Sequence, residues 1–347
     1  MAESKPLKGQ VALVAGATRG AGRGIARMLG AAGATVYCTG RSSKYGAGAT
    51  PGRPETIEET AELVDREGGK GIACRVDHTI ESEVEALIER IRCEQGRLDI
   101  LVNDIWGGDP LIDWNQKFWQ IDISVLRTLM ERAVFSHLVT ARHAAPVMVE
   151  KNRGLIVEIT DGHIDGYRGQ VIYDLVKSAN IRLGYAMAWD LKDTGITALS
   201  LSPGFLRSEA VLAHKGVAES NWRDGIARDP FFAESETPCF VGRAIVALAC
   251  DPNMRAKAGG SYFAGDLARE YGFADIDGRA PDFWGNFDRW ADAILARGTP
   301  LTNEEQFYIF SRYGHIHRDA AHSARATKLA QRLGIAGSGA GLQPVRP

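Results

Sequence analysis

Tyr173 and Lys177 lie four residues apart in Tyr173-Asp174-Leu175-Val176-Lys177, so on a helix they share one face, a turn apart. A phenol with its ordinary pKa of about 10 is a poor base at neutral pH, and a neighbouring ammonium favours phenolate and lowers that value. The pair is therefore a candidate proton donor or acceptor. The same spacing also decorates solvated helices. What marks this pair is its place at the head of the helix that follows a fifth apolar run, Leu155 to Ile159.

A second stretch able to do chemistry is Val11 to Gly33. Val11 to Ala15 is small, apolar and β-branched, Gly16, Gly20 and Gly22 follow, and Ile25, Met28 and Leu29 then recur at helical spacing. A buried strand, a glycine turn and an amphipathic helix make a phosphate cradle. Glycine admits close backbone approach, and the helix N-terminus offers free N–H groups and the positive end of its dipole. The spacing is GxxxGxG rather than the GxGxxG of the commoner dinucleotide fingerprint. The next apolar run, Ala34 to Cys38, leads through Thr39 and Gly40 to Arg41. An acidic residue there would accept from a free ribose 2′-hydroxyl, whereas an arginine pairs with a 2′-phosphate. Arg19 in the glycine turn is placed to reach the same phosphate, and Ser42 follows as a small donor. The expected cofactor is NADP(H).

These residues need a scaffold, and the remaining runs supply one. Strands are expected at Gly71 to Val76, Leu98 to Val102, Leu155 to Ile159 and Ile196 to Leu201, with a short last one over Gly260 to Gly265. Between them helices are expected over Glu55 to Glu67 (with Pro54 in its first turn), Ser82 to Glu94, a long zone from about Trp119 to Glu150, Tyr173 to Lys192, and Val241 to Cys250. Ser42 to Arg53 reads as a Gly/Ser/Pro-rich loop and 205–240 as a helical, irregular insert. Nearly all-apolar strands alternating with helices predict an α/β fold, a doubly wound parallel sheet with helices on both faces. Ligands sit at the C-terminal ends of such strands, where Asp77, Asn103, Thr160-Asp161 and Pro203-Gly204 fall.

Bulk properties narrow the function classes. The 347 residues are 45% hydrophobic and 24% charged with a net charge of −2, so no basic surface for nucleic acid or anionic membrane is indicated. The five scattered cysteines read as reduced thiols of a cytoplasmic protein, with no paired spacing that a metal site would want. The N-terminus lacks a signal-peptide core, and no apolar run approaches membrane-spanning length.

In the order and intervals of Gly16-Ala17-Thr18-Arg19-Gly20-Ala21-Gly22, Asp77, Leu101-Val102-Asn103, Tyr173 to Lys177 and Ser202-Pro203-Gly204, the chain resembles the short-chain dehydrogenase/reductase superfamily across residues 8 to about 270. The resemblance implies that Asp77 and His78 contact the adenine and that Asn103 supports the adenosine side. It implies that Tyr173 passes the proton while Lys177 binds the nicotinamide ribose, and that Pro203, Gly204 and Ser208 border the carboxamide. It also implies a homodimer or homotetramer built on the helices near 125–150 and 173–192. Gly265 to Phe273 looks like the last-strand region of a divergent branch.

Three departures stand out. The family serine after the fifth strand is replaced in Ile159-Thr160-Asp161-Gly162, where either Asp161 or, one register away, Thr160 takes its position. The long helix before that strand lacks the usual relay asparagine, the region near Ala133 being apolar. Asp104-Ile105-Trp106-Gly107 stands where Asn-Ala-Gly is usual. A carboxylate donates to a ketone oxygen only when protonated, whereas an ionised one stabilises a cationic nitrogen. The expected activity is therefore hydride transfer between NADP(H) and a small-molecule carbonyl or alcohol, with an imine or amine as a variant. The rival class is a non-catalytic NADP(H)-binding sensor or partner protein.

Other residues carry less. His163 is a candidate pocket residue, and Trp106, Trp114 and Trp119 a candidate aromatic wall. His315, His317 and His322 lack a carboxylate framework, and no metal is expected. Residues 1–280 are read as the NADP(H)-binding domain and 281–347 as a helical extension and flexible tail. In that extension Phe283, Trp284, Phe287 and Trp290 dock on the body or a neighbour, and Thr302 to Leu333 forms one or two helices.

Overall fold

The computed structural model describes residues 5–46, 52–162 and 167–298, together with Glu305 and Lys328. His163, His315, His317, His322 and nearly all of 299–347 lie outside the described residues.

Seven strands form one parallel sheet: β1 (Val11–Ala15), β2 (Thr35–Gly40), β3 (Lys70–Arg75), β4 (Ile100–Asn103), β5 (Gly154–Ile159), β6 (Ile196–Ser202) and β7 (Ser261–Phe263). Their order is β3-β2-β1-β4-β5-β6-β7, so β1 lies between β2 and β4. The winding direction reverses there and opens a crevice above the C-terminal strand ends. β1, β4, β5 and β6 are buried along their whole length, which is why they read as unbroken apolar runs.

On one face pack α1 (Gly20–Ala31), α2 (Ile57–Arg66), α8 (Pro238–Cys250) and α9 (Ala264–Tyr271), with Ile25, Leu29, Val64, Phe240, Ile245 and Leu267 in the core. On the other lie α3 (Glu81–Gln95), α5 (Ser136–Glu150) and α6 (Val171–Asp190), which bury Val84, Leu87, Ile91, Ala141 and Val147 against the sheet. α4 (Ile123–Met130) runs into α5 through a π-helical turn, Glu131–Phe135, so the expected long helical zone is continuous to Glu150, with one wider turn inside it. The insert holds α7 (Glu209–Lys215) and two 3₁₀ segments, Glu219–Ala227 and Pro230–Glu234.

Three expectations are corrected. α2 starts at Ile57, because Thr56 and Glu59 form a reciprocal capping box that leaves Pro54 outside the helix. α8 starts three residues early, with Pro238 at the first helical position. Gly265 to Phe273 is not strand: Ala264, Leu267 and Ala268 recur at helical spacing, are buried beside α8, and make α9, which Gly272 ends at φ 72°. α10 (Phe283–Arg297) carries the aromatic run of the extension and buries Phe283, Trp284 and Phe287 with Phe231 of the insert, beside Phe205 and Phe263.

Candidate active site

The glycine turn between β1 and α1 is shaped by close approach. Gly16 has φ 95°, and a Cβ there would lie 2.3 Å from the Asp104 carbonyl oxygen. At Gly22 a Cβ would lie 2.4 Å from the Gly16 oxygen. α1 begins with no cap from the Arg19 side chain and no acidic residue of its own in the first turn, and its first amides meet carboxylates from elsewhere in the chain. The Gly20 N–H donates to the Glu209 carboxylate at 2.8 Å, an anionic side chain standing where a phosphate oxygen fits. The turn therefore suits a dinucleotide pyrophosphate.

Beside it, Arg41 at the end of β2 lies 3.9 Å from Asp77, and Arg19 reaches Ser42 at 3.5 Å and Glu55 at 3.8 Å. Thr18 is buried against the end of β2: a Cβ on Gly40 would lie 2.5 Å from its hydroxyl oxygen. Arg53, inside a stretch that reads only as loop, joins the group through Glu55 at 3.9 Å. Asp77 itself resists burial: hydrogen bonds from Thr79 and the Arg41 charge hold it below the usual carboxylate range.

Two residues expected to face the adenosine are turned into the core. His78 is buried with its ring between the hydroxyls of Thr39 (2.8 Å) and Thr140 (2.9 Å), and burial with the nearby His137 pushes its pKa down to about 3. A ligand contact from this position is left to its backbone. Asn103 is buried and donates to the Glu158 carboxylate at 2.7 Å and the His137 carbonyl at 3.3 Å. Glu158 in turn meets His137 Nδ1 at 2.7 Å, and His137 Nε2 lies 2.9 Å from the Ile105 carbonyl. The sequence signal for this network is a glutamate inside a strand buried on both faces, which needs a partner.

At the end of β5 the two candidates for the serine position separate. Thr160 is buried and its hydroxyl donates to the Lys177 carbonyl at 2.8 Å, pinning α6 to the sheet and bringing nothing to Tyr173. Asp161 is the residue beside the phenol: Tyr173 donates to its Oδ2 at 2.8 Å. Arg168, also missed in the sequence, is buried, donates to the Asp161 backbone carbonyl and pairs with Asp174 at 2.9 Å. Gln170 caps α6 by accepting from the N–H groups of Ile172 and Tyr173, which sets Tyr173 in the first turn.

The charges around the pair reverse one expectation. Burial, and then the Asp161 charge and hydrogen bond, raise Tyr173 well above the usual phenol value instead of lowering it. Burial lowers Lys177, with Asp161, Asp104 and Asp109 acting the other way. Lys177 Nζ sits 4.6 Å from the Trp106 ring centroid and 5.5 Å from that of Tyr173. Trp106 and Trp114 meet the Tyr173 ring edge-on at 5.4 and 5.2 Å. Trp119 is instead 71% exposed and stands against Phe118, away from this wall.

The next stretch of the crevice is built by β6 and the insert. Ser202 Oγ accepts from the Gly162 N–H and donates to the Pro203 carbonyl, both at 2.9 Å, while the Gly204 N–H donates to Glu236 at 2.9 Å. Burial pushes Glu236 up to about 8. Ser208 caps α7, with its Cβ 3.7 Å from where a Cβ on Gly20 would sit. Phe283 of α10 comes within 3.1 Å of a Cβ placed on Gly204, so the extension reaches this end of the cleft. Among the described residues no group of three His, Cys, Asp or Glu side chains is arranged to hold a metal ion, and no helix is long and apolar enough to cross a membrane.

Asp104, in the altered turn after β4, accepts from the Gly22 N–H at 2.6 Å. Burial raises it to about 7 against the pull of Lys177. A carboxyl whose folded value exceeds its unfolded one binds its proton more tightly when folded. Its contribution is then fully present below pH 4 and drains away as pH rises to about 7. Asp104→Asn should therefore raise the melting temperature of the ligand-free protein at pH 8 by about 2–4 °C and leave it little changed at pH 4. Equal shifts at both pH values, read by calorimetry, would remove the titration from the account.

The short chain dehydrogenase family model matches residues 10–215. The chain is 36% identical over 279 residues to "Dehydrogenase/reductase SDR family member 1" of Mus musculus and 35% identical over 284 residues to that of Homo sapiens. In both cases 79% of this chain and 85% of the relative are covered. Among solved structures it is similar to a short chain dehydrogenase of Mycobacterium thermoresistibile, with TM-score 0.66 and 20% identity over 80% of this chain and 95% of the other. It is also similar to a hydroxysteroid dehydrogenase of Escherichia coli, with TM-score 0.60 and 24% identity over 75% of this chain and 98% of the other.

Proposed function

Because the chain belongs to the short-chain dehydrogenase/reductase family, whose members are oxidoreductases with nicotinamide cofactors, we propose that it transfers hydride between NADP(H) and a carbon bearing oxygen or nitrogen in a small molecule. The observation that carries this is the Tyr173 hydroxyl, one helical turn from Lys177 and hydrogen-bonded to Asp161 at the end of β5. When bound, the nicotinamide supplies or accepts a hydride at its C4.

The protein's own groups divide the remaining work. Gly16 and Gly22 let the pyrophosphate approach the turn closely, the Gly20 amide holds it in place of the Glu209 carboxylate, and Thr18 braces the turn. Arg19, Arg41 and Ser42 hold the 2′-phosphate, and Asp77 the adenosine side. Lys177 reaches the ribose, while Pro203, Gly204 and Ser208 border the carboxamide. Tyr173 carries the proton at its hydroxyl oxygen, Asp161 sets the direction of that O–H, and Trp106 and Trp114 keep water from the phenol.

The 2′-phosphate reading rests on the arginines around Ser42. Arg41→Asp exchanges an attractive charge for a repulsive one, so NADPH affinity should fall at least about tenfold while NADH affinity changes far less. Calorimetric titration with both cofactors checks this, and equal losses would count against it.

The oligomer is proposed to form through α5 and α6, whose outer faces expose Leu138, Val149, Leu175, Tyr185 and Trp189. A cytoplasmic location is part of the same reading. One observation favours the rival, non-catalytic reading: Asp161 and burial keep the phenol protonated, the opposite of an activated base. Cofactor binding without turnover across ketones, imines and alcohols would select that rival.

A further inference from the structure

We propose that the cleft takes a substrate presenting a protonated nitrogen, an ammonium or iminium, held by the Asp161 and Asp109 carboxylates against the rings of Trp106 and Trp114. The inference rests on the oxidoreductase reading of Tyr173 and Lys177 and narrows its substrate class.

Charge balance comes first. Three carboxylates, Asp161, Asp104 and Asp109, act on the Tyr173–Lys177 pair. Among the described residues, Arg168, the cation that also acts on the pair, is matched by Asp174 at 2.9 Å, which leaves Lys177 as the counter-charge beside the phenol. Even with Asp104 part-protonated near neutral pH, two carboxylates face one ammonium. Such a surplus in a half-buried cleft attracts a cation and penalises an anion.

Hydrogen-bond polarity points the same way. A ketone oxygen needs donors, yet the Tyr173 O–H is committed to Asp161 at 2.8 Å. Turning that hydrogen to a ketone would leave a carboxylate beside the alkoxide that forms, a like-charge contact. An N–H of an ammonium or iminium instead donates to Asp161 and complements it. The aromatic lining agrees. Trp106 already holds one ammonium against its ring, that of Lys177 at 4.6 Å, and its indole N–H donates to Asp109 Oδ1 at 2.5 Å. Trp114 also meets the Tyr173 ring and is half-exposed.

The chemistry balances. In the oxidative direction the bound ammonium first gives one proton to solvent water; the neutral amine so formed then loses hydride from carbon to the oxidised nicotinamide, and its nitrogen lone pair becomes the C=N π bond. The positive charge passes from the cofactor ring to the substrate nitrogen, where Asp161 stabilises it as it develops. In the reductive direction an imine takes a proton on nitrogen from the Tyr173–Asp161 pair. Hydride then adds to carbon, and the π pair returns to nitrogen.

The test is equilibrium binding to the full chain, by calorimetry and tryptophan fluorescence, of benzylamine (cationic at pH 7) and benzyl alcohol, with and without NADPH. Benzylamine should bind at least about tenfold more tightly. That preference should shrink in high salt and vanish in Asp161→Asn, and it should weaken in Asp109→Asn, a change at an exposed position outside the core. Equal binding of the two probes, no saturable benzylamine binding, or a preference unchanged in a folded Asp161→Asn protein would each overturn the inference. NADPH affinity is read in the same titrations: its absence defeats the oxidoreductase reading, whereas the benzylamine preference judges the cation site by itself.

Discussion

Tyr173→Phe should cost about 10²–10⁴-fold in turnover while leaving NADPH affinity within about twofold, because it deletes the proton carrier and keeps the ring. The Phe ring retains the edge-on contacts that Tyr173 makes with Trp106 and Trp114, so the aromatic wall survives the change. What goes is the O–H that bonds Asp161 at 2.8 Å. Single-turnover kinetics beside cofactor-fluorescence titration separate the two effects. A variant keeping more than about a tenth of wild-type turnover would make Asp161 the proton source and reduce the tyrosine to packing.

The pH behaviour follows from the same site. Burial and the Asp161 charge raise the phenol well above its usual value, so it stays protonated from pH 6 through pH 9. Reduction, which needs the proton present, should therefore show no loss from this group across that interval. Oxidation, which needs it absent, should rise with pH throughout. A reductive profile falling with an apparent pKa of 7 to 8 would mean that Lys177, not Asp161, governs the phenol.

What the sequence reveals of this protein is what short-range spacing dictates. Three glycines between an apolar run and an amphipathic helix specify the cradle whatever lies elsewhere. Tyr173 and Lys177 share a helix face by arithmetic alone. The strand ends at Arg41, Asn103 and Asp161 follow from where apolar runs stop. What stays hidden depends on partners far along the chain. Nothing near Asp104 announces that it meets the Gly22 amide 82 residues away, nor that burial there drives its titration toward neutrality. Thr160 and Asp161 are adjacent and both polar, and only the sheet decides which of them faces Tyr173. Gly265 to Phe273 resembles a last-strand region by likeness alone, while its period is that of the helix α9. Its buried Ala264, Leu267 and Ala268 keep helical spacing.

The buried network of Asn103, Glu158 and His137 is the least legible part, and it carries the largest expected stability effect. The Ile105 carbonyl can only accept, so His137 Nε2 bears a hydrogen, and Nδ1 shares the other proton with Glu158. His137→Leu removes that partner and leaves a carboxyl group buried with only Asn103 beside it. The cost should be about 3–5 kcal/mol, or roughly 6–12 °C in melting temperature. Replacing both members by leucine should recover part of the loss, since the apolar pair carries no desolvation penalty of its own while the Asn103 amide loses its nearer acceptor. Function should not recover with it. The imidazole holds the Ile105 carbonyl at 2.9 Å, and the next residue, Trp106, faces both Lys177 and Tyr173. With that turn released, kcat should stay several-fold low in the partly restored double variant, measured well below its melting temperature. A double variant that regains stability and full kcat together would reduce His137 to packing; one that regains stability alone shows that the buried pair positions the indole wall of the active site.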